Sequence, residues 1–204
     1  MPTITFDKLS EDKKNMIECA ARKEFSNYTY DQVSINRIIQ DINMPRGSFY
    51  LYFENKEDLY LHVIRKYIHF AIDKLIKRVN GCDGDIIKAY KLSLGDIIDY
   101  CNKGTHSLMV KNLLLGLTHK IGLKLSKPDK MEIINKIFNH VDRDYFIDEY
   151  KEDLFITMDL LTNILIHALT EYLVMGIPIE KIERKYYKQL TIVSRGVYKE
   201  EIEI

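Results

Sequence analysis

The sequence has no tryptophan and, in 204 residues, only four prolines, nine glycines and three cysteines. Cys19, Cys82 and Cys101 are odd in number and far apart. With no C-x-x-C pair and no clustered histidines, they exclude a disulfide framework and a zinc site, and a reducing cytoplasm is the expected setting. Charge of one sign is missing too: thirty Lys and Arg balance thirty Asp and Glu. A polyanionic partner would have to be recognised by local placement of cations rather than by the field of the whole chain.

No basic lead followed by an apolar run opens the chain, so no signal peptide is expected. The most apolar stretch, Leu154 to Met175, is long enough to span a bilayer but carries Asp159, Asn163, His167 and Glu171. A central aspartate alone costs roughly 2.5–3.5 kcal/mol on insertion scales, so a buried helix of a soluble protein is the expected reading, with no membrane partner. Catalytic signatures are lacking as well. There is no Ser-His-Asp spacing, HExxH, P-loop or GxGxxG, and the acidic run DRDYFIDEYKED has Phe146 and Ile147 where an EF-hand needs a ligand and a glycine. Neither an enzyme nor a metal or other cofactor is expected.

What remains is helical periodicity. Apolar residues recur three and four apart through nearly the whole chain, and the few Gly and Pro punctuate the segments. Ser10 caps a first helix with Ile17, Ala20, Ala21 and Phe25 inward, ending near Asn27. Ser34 caps a short second helix with Ile35, Ile38, Ile39 and Ile42 inward, and Pro45 opens a third, where its missing N–H costs nothing. Asn55 and Asp58 resemble a capping box for a long fourth helix to Val79, with Asn80-Gly81 as its left-handed end. Five more follow, about nine in all: Asp85 to Asn102, stopped at Gly104; Thr105 to about Ile121; one with Pro128 in its first turn, to about His140; Leu154 to Met175; and Glu180 to about Lys199.

The second and third helices, joined by a tight turn at Asp41 to Pro45 and braced by the first, form a helix-turn-helix candidate. Asn43 stands where the turn needs a left-handed residue. Phe49 and Phe53, four apart, point inward, leaving Arg46, Ser48, Tyr50 and Tyr52 for the outer faces. Such a helix fits a DNA major groove: Arg46 reaches guanine acceptors and the tyrosine hydroxyls reach phosphates, while Gly47 lets the backbone approach. Lys56 and Ser34 stand in first turns, where amides and a cation or hydroxyl bind phosphate.

The run YDQVSINRIIQDINMPRGSFYLYFENKEDLY resembles the DNA-binding signature of the TetR/AcrR transcriptional regulators, without a gap from about Ile17 to Leu61. The resemblance implies an all-α protein with residues 1–55 as a helix-turn-helix DNA-binding domain, joined through the long fourth helix to a helical effector-binding and dimerisation domain, 56–204. It implies that Ser34 and Lys56 clamp phosphates and that Asn36, Arg37, Arg46, Gly47, Ser48, Tyr50 and Tyr52 face an operator. Four positions depart from the pattern. Asn43 replaces the usual turn glycine, Thr29 a glycine after the first helix and Ile39 a small alanine, and Leu51 takes a place that is often polar. Residues 1–66 hold ten basic and ten acidic side chains, so weak non-specific DNA affinity is expected.

The last two helices, about 154–199, carry apolar residues on more than one face, and the resemblance implies a homodimer through them. A two-fold dimer sets two reading helices about 34–36 Å apart, which predicts a pseudo-palindromic operator. Tyr67, Tyr100, His106 and Asn112 are candidates to line a pocket for an amphipathic or aromatic effector, with His119 and His167 as further polar residues in apolar helices. The competing reading is a helical protein-interaction module that has lost sequence-specific DNA binding.

Overall fold

The computed structural model describes residues 2–103, 106–118, 127–147 and 151–199. Gly104, Thr105 and His119 lie outside the described residues. Within them the chain is all helix: α1 (Ile4–Asp7), α2 (Glu11–Asn27), α3 (Ile35–Asp41), α4 (Arg46–Tyr52), α5 (Lys56–Asn80), α6 (Ile86–Asn102), α7 (His106–Thr118), α8 (Lys127–Phe138), α9 (Lys151–Leu173) and α10 (Ile179–Val197). A 3₁₀ turn at Arg143–Tyr145 and an isolated bridge between Phe146 and Tyr198 complete it.

Some helix ends follow side-chain chemistry, but Ser10, expected to cap α2, makes no side-chain capping bond. Asn55 Oδ1 accepts the Asp58 N–H at 3.0 Å, and Asp58 Oδ2 accepts the Glu54 N–H at 3.2 Å, a reciprocal cap that starts α5. Asp85 starts α6 by accepting the Lys88 N–H at 2.9 Å. Asn43 adopts φ 49, as the tight turn requires. At the end of α5 the expectation fails: Gly81 is right-handed at φ −74, and the left-handed residues are Asp83 and Gly84. At the later reversal Gly84 lies against Asp142, where a Cβ would come within 2.6 Å of backbone. Helix α1 is absent from the periodicity reading, since a single turn is too short to show a period; Thr3 caps it and Phe6, 2% exposed, anchors it.

Two hydrophobic clusters share α5. The first gathers Phe6, Ile17, Ala21, Phe25, Ile38, Phe49 and Phe53 around Leu59, Tyr60, Val63 and Ile64 of α5, together with Met109 of α7. The second takes Ile72 and Val79 of α5 and packs α6, α8, α9 and α10 around Leu94, Leu161, Tyr186 and Leu190. Two buried tyrosines stitch it: Tyr186 Oη donates to the Tyr90 carbonyl at 2.7 Å, and Tyr90 Oη bonds Thr162 Oγ1 at 2.7 Å. By length and composition α9 would cross a membrane, yet Leu154, Met158, Leu161, Ala168 and Leu169 are core residues.

Candidate nucleic-acid interface

The apolar period of α2 turns Ile17, Ala20, Ala21 and Phe25 onto α3 and α5, and the small alanines allow close approach. Phe49 and Phe53 are fully buried beneath α4, their rings 5.8 Å apart, and Phe53 rests 4.9 Å from Phe6. This support leaves a short helix standing proud of the core. Arg46 and Gly47 are exposed, Ser48 is half-buried, and Tyr50 presents its ring edge-on to Phe49 while remaining 46% exposed. A side chain at Gly47 would meet nothing within 4 Å, so the backbone is open to a large partner there. Leu51 is 58% exposed. On α3, Asn36 is exposed; Ser34 makes no side-chain cap, and its N–H donates instead to Glu24 Oε1 at 2.9 Å.

Three side chains expected on this face make contacts within the protein. Tyr52 is 6% exposed and packs edge-on to Phe6, because α1 folds over the end of α4 and covers it. Arg37 is exposed but held by its own chain: Glu24 pairs with its guanidinium, the Gln32 carbonyl accepts at 2.7 Å, and its planar group sits 4.1 Å over the Tyr28 ring. Lys56 turns back onto the α2–α3 connection, donating to the carbonyls of Tyr30 at 2.8 Å and Val33 at 3.2 Å, with Asp31 at 3.4 Å. An ammonium has three protons to donate, and three carbonyls lie within reach of this one.

The role of the first residues was not legible beforehand. Thr3 caps the end of α4 across the fold: its N–H donates to the Tyr52 carbonyl at 3.0 Å and its hydroxyl to the Leu51 carbonyl at 2.6 Å. A Thr preceding a short apolar segment was the available signal. Glu18 of α2 is 4% exposed and joins α5 through His62 at 2.9 Å and Lys66 at 2.5 Å. Burial opposes its charge, but the hydrogen bonds and charges of Lys66 and His62 outweigh that and hold the carboxyl below its ordinary value.

The effector candidates divide. Tyr67 of α5 and Tyr100 of α6 are half-buried, Tyr100 and the Arg22 charge both act on the Tyr67 phenol, Arg22 acts on Tyr100 as well, and the Phe70 ring lies 5.9 Å from that of Tyr100. Burial raises both phenols and Arg22 offsets part of the shift. Asn112 does not join them. It is 8% exposed and donates to the Phe25, Ser26 and Tyr28 carbonyls at the end of α2, an arrangement invisible in a helical pattern because it spans over eighty residues. The side chain of His106 lies outside the described residues. His167 is exposed on α9, 3.4 Å from Glu171. Among the described residues no cluster of three metal-ligating side chains forms.

A braced pair of short helices, the second exposing Arg, Gly and Tyr, defines a helix-turn-helix protein of the DNA-binding class. A model of bacterial regulatory proteins, tetR family, matches residues 19–63, and one of the tetracyclin repressor-like C-terminal domain matches 85–197. The chain therefore belongs to the tetR family of bacterial regulatory proteins. A curated relative, the HTH-type transcriptional repressor Rv1474c of Mycobacterium tuberculosis, is 30% identical over 66 residues, which cover 32% of this chain and 35% of that protein, about a third of each. Solved structures share the fold. A TetR-family transcriptional regulator from Pectobacterium atrosepticum superposes with a TM-score of 0.66 at 16% identity, over 94% of this chain and 97% of that one. The fatty acid degradation regulator FadR from Bacillus halodurans does so with a TM-score of 0.57 at 17% identity, over 90% and 96%.

Proposed function

We propose that this protein is a ligand-responsive transcriptional repressor that binds a pseudo-palindromic operator as a homodimer. Residues 1–55 read DNA and 56–204 dimerise and sense an amphipathic or aromatic effector. The observation that carries the reading is α4, an exposed helix bearing Arg46, Gly47 and Tyr50 and propped from beneath by Phe49 and Phe53. Arg46 is the base-reading cation, Tyr50 and Ser48 add hydroxyls, and Ser34 and Asn36 of α3 flank the backbone.

Dimerisation is supported by the outer faces of α9 and α10, where Ile156, Leu160 and Ile192 are 62%, 46% and 62% exposed. The α9 face also carries Asp153 and Asp159 and the α10 face Lys181, Arg184 and Lys188, so a two-fold pairing of α9 with the partner's α10 brings opposite charges together. Tyr67 and Tyr100 are the effector-contacting residues we retain.

Selection of genomic fragments at low salt, followed by a gel shift, tests the reading. The wild type should enrich a two-fold-symmetric site. The double variant Arg46→Ala, Tyr50→Ala should lose it while remaining dimeric by sedimentation. If the wild type enriches nothing at low salt, the interaction-module reading replaces this one; Arg37 and Lys66 are already paired with Glu24 and Glu18, and Lys56 donates to the Tyr30 carbonyl.

A further inference from the structure

Helix α7 belongs by position to the C-terminal half, yet two of its side chains sit in the N-terminal core. Met109 is 2% exposed among the residues of the first cluster. One turn on, Asn112 Nδ2 donates to three carbonyls at the end of α2: Phe25 at 3.0 Å, Ser26 at 3.1 Å and Tyr28 at 3.1 Å. These belong to the carbonyls that a helix end leaves without intrahelical donors. The chain does not turn back to serve them, because Tyr28 is extended at φ −133. Two amide protons are thus shared among three acceptors, and a side chain from the other half of the molecule is the cap.

The connection continues into the helix-turn-helix. The Tyr28 ring carries the Arg37 guanidinium at 4.1 Å, and Arg37 pairs with Glu24. Glu24 Oε1 in turn accepts the N–H of Ser34, the residue that opens α3. Every step is a direct contact.

We propose that Asn112 is a positioning residue for DNA reading: it fixes the end of α2, and with it α3, so that the placement of α7 is felt at the reading helices by a route separate from α5. The inference rests on the operator-binding reading. Hydrogen bonds near 3 Å fail within about half an ångström of stretch, so a small displacement of α7 removes the cap. A ligand that favours a different α7 position shifts the equilibrium by its differential affinity for the two arrangements.

The test compares wild type with Asn112→Ala, Asn112→Gln and Tyr28→Leu. Amide hydrogen exchange is followed at Tyr28, Val33 and Ile38, which donate to the Glu24, Thr29 and Ser34 carbonyls. Affinity for the genomically selected site is measured across a salt series. Asn112→Ala should exchange at least about tenfold faster at these amides and bind about tenfold more weakly, with the same salt slope, since no phosphate contact is lost. Asn112→Gln, which keeps the donor, should recover part of both. Tyr28→Leu leaves the carbonyls and removes the ring, so it should weaken binding alike, and it decides the matter should Asn112→Ala fail to fold. Wild-type exchange and affinity in Asn112→Ala, or a reduced salt slope, overturns the proposal. If the wild type selects no DNA, the operator reading fails while the exchange data still decide whether Asn112 positions α2 and α3.

Discussion

Lys56 Nζ lies 2.8 Å from the carbonyl oxygen of Tyr30 and 4.7 Å from the centroid of the same residue's ring. The lysine at the start of α5 therefore closes the loop between α2 and α3 from within. Lys56→Met should lower the unfolding free energy by about 2 kcal/mol, the scale of hydrogen bonds from a charged donor. Operator binding should weaken without a change in salt slope. A slope smaller by about one, as expected for a lost phosphate contact, would return Lys56 to the clamp role.

Phe6 fills a site bounded by Tyr52, Phe53 and His62, with ring centroids at 6.3, 4.9 and 5.1 Å. Phe6→Ala should cost about 3 kcal/mol in denaturant unfolding, because the cavity cannot close against three aromatic walls. Thr3→Val should cost about 1 kcal/mol by withdrawing the hydroxyl from the Leu51 carbonyl. Should both variants unfold like wild type, α1 does not hold α4.

Glu18 ties the protein's stability to pH. Its carboxyl is held below the ordinary value in the folded state, so it contributes stability that is present above the unfolded-state value and is lost as pH falls through the folded one. Wild type should therefore lose thermal stability on the acidic side of the normal carboxylate range more steeply than Glu18→Gln. At neutral pH the variant should be less stable by about 1–2 kcal/mol. Parallel melting curves for the two proteins from pH 7 down to pH 3 would contradict this.

Gly84 has φ +82 and would bring a Cβ to within 2.6 Å of the Asp142 backbone nitrogen. Gly84→Ala combines backbone strain with a clash that no rotamer relieves and should destabilise by about 2 kcal/mol or more. Gly47→Ala, into open space and an α-helical backbone, should leave thermal stability nearly unchanged. Calorimetry of the pair separates the two kinds of glycine.

Much of the helix pattern was legible because amphipathic period and caps act locally. Phe49, Phe53, Ile17 and Phe25 announced their burial by spacing, and Asn43 its left-handed turn by side-chain type. The outward placement of Arg46, Gly47 and Tyr50 on α4 was legible as well. What could not be read were contacts between distant residues. Tyr52 looks outward on a helical wheel and is covered only because residues 3–6 return over it. Arg37, Lys56 and Asn112 are polar side chains whose acceptors lie in other segments, and a one-dimensional pattern does not distinguish a donor aimed at a phosphate from one aimed at a carbonyl of its own chain.

Met109 enters the N-terminal core from a helix that the chain reaches more than fifty residues after α4. An excised fragment ending after α4, or even after the first half of α5, would carry a hole in its apolar centre and bare carbonyls at the end of α2. The N-terminal helix-turn-helix unit thus does not complete its own core. Grafted onto a different sensor, it would arrive without its filling, and a chimera between relatives would have to transplant the methionine and asparagine of α7 along with it.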